Sequence, residues 1–334
     1  MWMEVIAFYL LVQFIVIAII VSSLYRSAKR VKKSQLYTLP GLGIQDHDGT
    51  FREDMEILIR HLDDALAEEY VERVKERMIR KHRISLTEWE NRWFEWKRFL
   101  VMTALLKRVP MYSREVDEVW HEMLMFTREY EEFSKKFLKT VLHHAPNAPA
   151  EKFDPHERAW FDTIYVLLFK PTPYSHATWG PLLRHPLSPA LLEEFKKGSV
   201  SELAAKYFNE HTQLNLPGVA RLVRFLIRYL QRELEQIEQH VYEKGTSVSQ
   251  FLERWLLHSR GEWPLWMLRS VLFLSWYYVD EFFQQYTALN RAVQLQFPSI
   301  SGTGDIASFA CAGWDGGIDS GGGNSDGSVS EGKM

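Results

Sequence analysis

The pattern of apolar and polar positions divides the chain into three parts. Residues 5–21 read VIAFYLLVQFIVIAIIV, with Gln13 the only interruption in 17 residues. Continued through Leu24 and Tyr25, the run reaches about the 20 residues that cross a bilayer as a helix. Hydrocarbon offers free backbone groups no partners, so such a run has to be helical. Trp2 and Tyr25 bracket it at positions suited to the interfacial belts. Beyond it, apolar residues recur with a period near 3.6, which predicts amphipathic helices. From residue 301 the apolar positions thin out into a Gly/Ser/Asp-rich sequence.

Within the body, Met55, Leu58, Ile59, Leu62, Leu66 and Tyr70 fall on one face of a charged helix predicted over 51–81. Three capping boxes mark helix starts: Ser85 with Glu88, Ser199 with Glu202, and Ser247 with Gln250. The first opens a stripe of Trp89, Trp93, Trp96, Phe99 and Leu100, whose spacing predicts core. Pro110 is expected to end that helix and Ser113 to cap the next. Prolines at 155, 171, 173, 181, 186 and 189 predict one short helix over 160–169 followed by a long loop. Helices are then expected over 218–244 and 250–289. The apolar stretch 265–279 is too short for a second span and contains Arg269, so it reads as a buried core helix.

The expected class is therefore all-α: a multi-helix body behind a single N-terminal transmembrane helix, with a disordered Gly-rich tail. The organisation is anchor (1–25), basic juxtamembrane segment and linker (26–50), first helical module (51–150), second helical subdomain (151–300) and tail (301–334). Eight of the 18 glycines precede residue 300 and ten follow it, which agrees with a glycine-poor helical body. In the tail, Phe309, Cys311 and Trp314 are the expected docking points.

Charge sets the topology. Arg26, Lys29, Arg30, Lys32 and Lys33 follow the apolar run, and only Glu4 and the terminal amine precede it. The positive-inside rule places the body in the cytosol and the N-terminus outside. The formal charge of -3 gives no reason to expect nucleic acid as a partner. With one cysteine, Cys311, no internal disulfide can form. Arg221, Arg224, Arg228 and Arg232 share a helix face. They read either as a solvated stripe or as a contact for anionic headgroups or an acidic partner.

Candidate chemistry is concentrated in residues 111–146. Asp117 and His121, four apart, share one helix face, and His143 and His144 follow. Together they could hold a divalent metal such as zinc, with Glu122 beside them as a general base. In one straight helix His121 and His143 would stand about 33 Å apart, so the helix must break, with Thr127 the expected cap. The structural alternative pairs Asp117 with a base, buries His121 in hydrogen bonds, and uses the His143–His144 pair to cap a helix end.

Val116, Asp117, Trp120, His121, Leu124, Thr127, Tyr130, Phe133, His143, His144 and Pro146 match a V-D-x-x-W-H, L-x-x-T-x-x-Y-x-x-F, H-H-x-P pattern. In this the chain resembles the glycine-rich domain-containing protein-like family, with Ser134 where that family has a cysteine. The resemblance implies a helical module of the kind found in bacterial membrane-associated and plant proteins. It implies no reaction. A bacterial cell membrane is the expected location, and a membrane-anchored interaction protein the expected function. The alternatives are a metal-binding module or metal-dependent enzyme, and a peripheral protein that senses anionic lipid. Membrane lipid and a protein of unknown identity are the expected partners.

Overall fold

The computed structural model describes residues 34–143, 153–244 and 263–296. The predicted span, the Ser247–Gln250 box, His144 and the tail lie outside the described residues. Among those described, no helix is long and apolar enough to cross a membrane.

Thirteen α-helices follow one another, and no strand occurs among the described residues. They are α1 (Gly49–Ala65), α2 (Glu68–His82), α3 (Leu86–Leu105), α4 (Arg114–Leu124), α5 (Thr127–Leu138), α6 (Pro155–Leu168), α7 (Pro173–Trp179) and α8 (Pro189–Lys197). Then come α9 (Val200–Tyr207), α10 (Glu210–Asn215), α11 (Val219–Lys244), α12 (Trp263–Tyr277) and α13 (Phe282–Gln296).

Helix α3 is the central element. It packs on α1, α2, α4, α7, α10 and α11, and fourteen of its twenty residues are buried. Its Trp89, Trp96, Phe99 and Leu100 are core, as their spacing predicts, and Trp93 packs partly buried against them. Helix α11 is the second hub, in contact with α1, α8, α9, α10 and α12. One continuous apolar cluster runs from Leu42 to Leu289 through both halves of the body.

Several helix starts follow from side-chain chemistry. Ser85 accepts from the Glu88 amide at 3.1 Å, and Ser113 from the Val116 amide at 3.2 Å. Ser199 and Glu202 complete a reciprocal box. At Ser85 only half the box forms, because the Glu88 side chain turns instead to Arg92 and Tyr174.

Four expectations are corrected. The predicted helix over 51–81 is two helices, broken at Leu66–Ala67. The apolar face of α1 packs on α11, α5 and α3, whereas α2 packs on α4 and α3, and one straight rod could not reach both sets. Helix α3 stops at Leu105, before Pro110. Its end pairs with the α9–α10 connection through Asn209 N–H to Leu105 O (2.9 Å) and Lys107 N–H to Tyr207 O (3.1 Å).

The proline-rich stretch is not a long loop. Pro155, Pro173 and Pro189 each open a helix behind Asp154, Thr172 and Ser188. The first helical position needs no free N–H, and the ring presets φ. Finally, the helix predicted over 250–289 is interrupted at Tyr278, after which a 3₁₀ turn leads into α13. Helix α12 is buried over most of its surface, in agreement with its reading as core, and Arg269 pairs bidentately with the buried Glu233 of α11.

The linker is part of the body. Asn91 clamps it at the start, accepting from Tyr37 N–H and donating to Gln35 O, both at 2.8 Å. Arg98 then binds Leu42 O at 2.9 Å, Gly43 O accepts from Lys170 N–H at 2.7 Å, and Gln45 N–H donates to Leu168 O at 2.9 Å. Gly43 has φ +62°, and a Cβ there would sit 2.7 Å from the Arg98 guanidinium, so only glycine fits. Residues 34–48 thus form a strap fastened along α3 and the end of α6.

Beneath the strap lies a buried polar cluster. Glu95 accepts from Ser175 Oγ (2.7 Å), Tyr165 Oη (2.7 Å), Trp179 Nε1 (2.8 Å) and Arg98 (3.4 Å). Glu95 and Arg98 are both fully buried. In a medium of low polarity such groups persist only when paired and hydrogen-bonded, and here they join α3 to α6, α7 and the strap.

Candidate functional site

The segment with the Trp-His pair forms α4 and α5, which meet at a break over Met125–Phe126. The break occurs where geometry required it, but Phe126 occupies the cap position and Thr127 is the first helical residue, with no side-chain cap. Val116, Trp120, Tyr130 and Phe133 are buried and Leu124 packs against the core, so packing accounts for most of the recurring pattern.

Two hydrogen bonds then fold the chain back. Trp120 Nε1 donates to Tyr130 Oη at 2.9 Å, and Tyr130 Oη donates to Leu142 O at 2.6 Å. Burial pushes the Tyr130 phenol up, against the lowering effect of its hydrogen bonds, so it stays a donor. The relay ties the residue before His143 to the residue before His121.

Asp117 and His121 do share a face. His121 Nδ1 stands 3.0 Å from Asp117 O and 3.3 Å from its Oδ2, and the ring is 54% exposed. His143 is exposed as well, and His144 lies outside the described residues. Among the described residues, no group of three or more His, Cys, Asp or Glu is placed to hold a metal ion. Asp117, His121 and His143 therefore do not make a site by themselves.

Glu122 does not have the character of a general base. It is 1% exposed and bound by Arg77 (2.9 Å), Lys81 (2.6 Å) and His82 (3.2 Å) of α2. Burial would raise its pKa, but the bonds from Lys81, His82 and Arg77 outweigh it and leave the carboxyl below its usual range. A base at neutral pH needs the opposite shift. Nearby Glu118 is held by Arg92 (2.7 Å) and Arg114 (3.0 Å), and His82 bridges the two glutamates. The seam between α2 and α4 is thus an ion-pair network that positions the Trp-His helix.

The arginine stripe divides. Arg221 binds both carboxylate oxygens of Asp54, which is 2% exposed, and fastens α11 to α1. Arg224, Arg228 and Arg232 stay exposed along a shallow groove with Phe225 and Gln231. The Asp54–Arg221 pair and the Glu95–Arg98 cluster escaped the sequence reading. In each the partners belong to amphipathic helices whose charges look solvated until the packing is known.

Residues 60–160, from within α1 to the middle of α6, match the family model described as UCP032817-like. No curated protein and no solved structure matches the chain. The matched stretch contains the Trp-His helix, the Tyr130 relay and the Glu122 cage. The match shows similarity, over this stretch, to an uncharacterised family and does not extend to the glycine-rich domain-containing protein-like name; the chain's own fold there is helical.

Proposed function

We propose that the chain is a membrane-tethered helical interaction protein whose body is held against the cytosolic face of a cell membrane. The observation that carries this reading is the docked strap. Only residues 26–34 separate the apolar run from Gln35, the first residue clamped by Asn91. Nine residues reach at most about 32 Å, so a helix over the apolar run would hold the body near the headgroups. Leu36, Leu39 and Leu86, three of the exposed large apolar side chains, belong to the strap and the first turn of α3. Arg224, Arg228 and Arg232 offer a cationic face to an acidic protein partner or to anionic lipid.

The test is carbonate washing of membranes containing the full chain. The chain is expected to stay in the pellet. The double substitution Leu11→Arg and Ile15→Arg, which puts two charges into the apolar run, is expected to move it to the supernatant. A full chain that washes off, or a double variant that stays, would refute the anchor.

The Tyr130 relay favours a second reading, in which Asp117, His121, His143 and His144 bind a divalent metal such as zinc. Calorimetric titration of the full chain with zinc tests it. Stoichiometric binding that disappears in His121→Ala is the expected result, and no binding ends it.

A further inference from the structure

Arg221, Arg224, Arg228 and Arg232 recur every three or four residues, so they lie along one edge of α11. Arg221 is held by the buried Asp54. Arg224, Arg228 and Arg232 are exposed. From the first to the last of these three the helix rises about 12 Å. Glu235 closes the far end of the same groove.

The neutral groups of the groove are turned inward. The Phe225 ring packs on Phe51 at 4.7 Å and on His47 at 5.0 Å. Gln231 donates its amide to Phe195 O and Gly198 O, both at 3.0 Å. An occupant of this face therefore meets guanidiniums first. Tight protein interfaces are centred on aromatic anchors seated in desolvated pockets, and Phe225 is already packed against its own chain. A lipid surface needs no such anchor. It presents a fluid array of phosphate oxygens, which arginine forks match.

The second observation is where the strap ends. The His47 ring lies 5.0 Å from Phe225 and 5.2 Å from Tyr229, and its Nε2 is 2.8 Å from Leu167 O. The strap that starts just after the apolar run thus finishes beside the arginine edge. From Gln35 to His47 the chain reaches at most about 43 Å, and the 3₁₀ turn over Pro40–Gly43 shortens it. A docked strap keeps this offset fixed. Tethering then confines the arginines near the headgroups, where contacts too weak for free solution become occupied.

We propose that the edge formed by Arg224, Arg228 and Arg232 docks on anionic lipid headgroups of the membrane that carries the anchor, and so sets which side of the body faces the bilayer. The proposal rests on the tethered reading above and decides between the two partners left open there. Each arginine close to an anionic surface contributes about fivefold to the binding. Three together hold the face down at moderate salt and release it when salt screens them.

The experiment compares the full chain in nanodiscs of phosphatidylcholine alone and of phosphatidylcholine with about 30% phosphatidylglycerol. Arginine side chains are modified with phenylglyoxal, and the rate at each site is read by peptide mass spectrometry. Arg224, Arg228 and Arg232 are expected to react at least about fivefold more slowly in the anionic discs. The exposed Arg114 of α4 and Arg128 of α5 are expected to react alike in both. High salt is expected to remove the protection. A chain that co-purifies with neither disc would refute the anchor and the proposal with it. A chain that co-purifies, but whose three arginines react equally in both discs or are slowed no more than Arg114 and Arg128, overturns the docking face and leaves the anchor standing. Protection by added polyglutamate in neutral discs, with none from phosphatidylglycerol, assigns the edge to an acidic protein and also overturns the proposal.

Discussion

Glu95→Ala is expected to destabilise the body by about 3–5 kcal/mol, the usual cost of removing one partner from a buried ion pair. The substitution does more than delete a charge. Ser175, Tyr165 and Trp179 each donate to this carboxylate; Tyr165 and Trp179 would be left buried without an acceptor, and Ser175 would keep only Thr172 Oγ1, at 3.1 Å. Arg98 would keep Leu42 O and Lys170 O, both at 2.9 Å, but lose its counter-ion in a fully buried position. Its guanidinium lies over the Phe94 ring at 4.1 Å, an attraction too small to replace a carboxylate. Glu95→Gln keeps the volume and one carbonyl acceptor, so its cost should be clearly smaller. Urea denaturation followed by tryptophan fluorescence measures both. An alanine variant within about 1 kcal/mol of the parent would mean that the cluster does not hold the strap, α3, α6 and α7 together.

Trp120→Ala is expected to cost a similar amount, about 3–5 kcal/mol, because the indole is buried at the junction of α3 and α4. The ring packs against Trp96 at 5.3 Å and Phe99 at 5.6 Å, so its loss leaves a cavity beside the central helix. Trp120→Phe separates packing from hydrogen bonding. It keeps most of the ring volume and removes the donor to Tyr130, and should cost about 1–2 kcal/mol. Tyr130 Oη would still reach Leu142 O, but its position would no longer be fixed from α4. If the metal reading is correct, Trp120→Phe should weaken zinc while the protein stays folded. Zinc affinity independent of this substitution would separate the relay from any metal site.

Much of this was legible in the sequence, for physical reasons that can be named. The Ser85, Ser113 and Ser199 starts were readable because a cap is a local interaction within four residues. The aromatic stripe of α3 and the apolar character of α12 were readable because burial imposes periodicity or its absence. The break at Leu66–Ala67 was hidden because Leu62, Leu66 and Tyr70 keep helical spacing across it. Neither Gly nor Pro marks it, and tertiary packing decides the kink. The helices opened by Pro155, Pro173 and Pro189 were hidden because proline reads as a breaker unless its cap is noticed; Asp154, Thr172 and Ser188 were the available signal.

In the candidate site, the spacing of Asp117 and His121 gave their shared face correctly. The role of Glu122 was misjudged because the neighbours that fix its charge, Arg77, Lys81 and His82, lie about 40 residues earlier on α2.

The placement of the body is tested most directly at Cys311, the single cysteine. A membrane-impermeant maleimide added to intact cells is expected to leave it unlabelled, and the same reagent is expected to label it fully once the membrane is permeabilised. Labelling of Cys311 in intact cells to the permeabilised level would put the body on the other side of the membrane and contradict the tethered cytosolic arrangement.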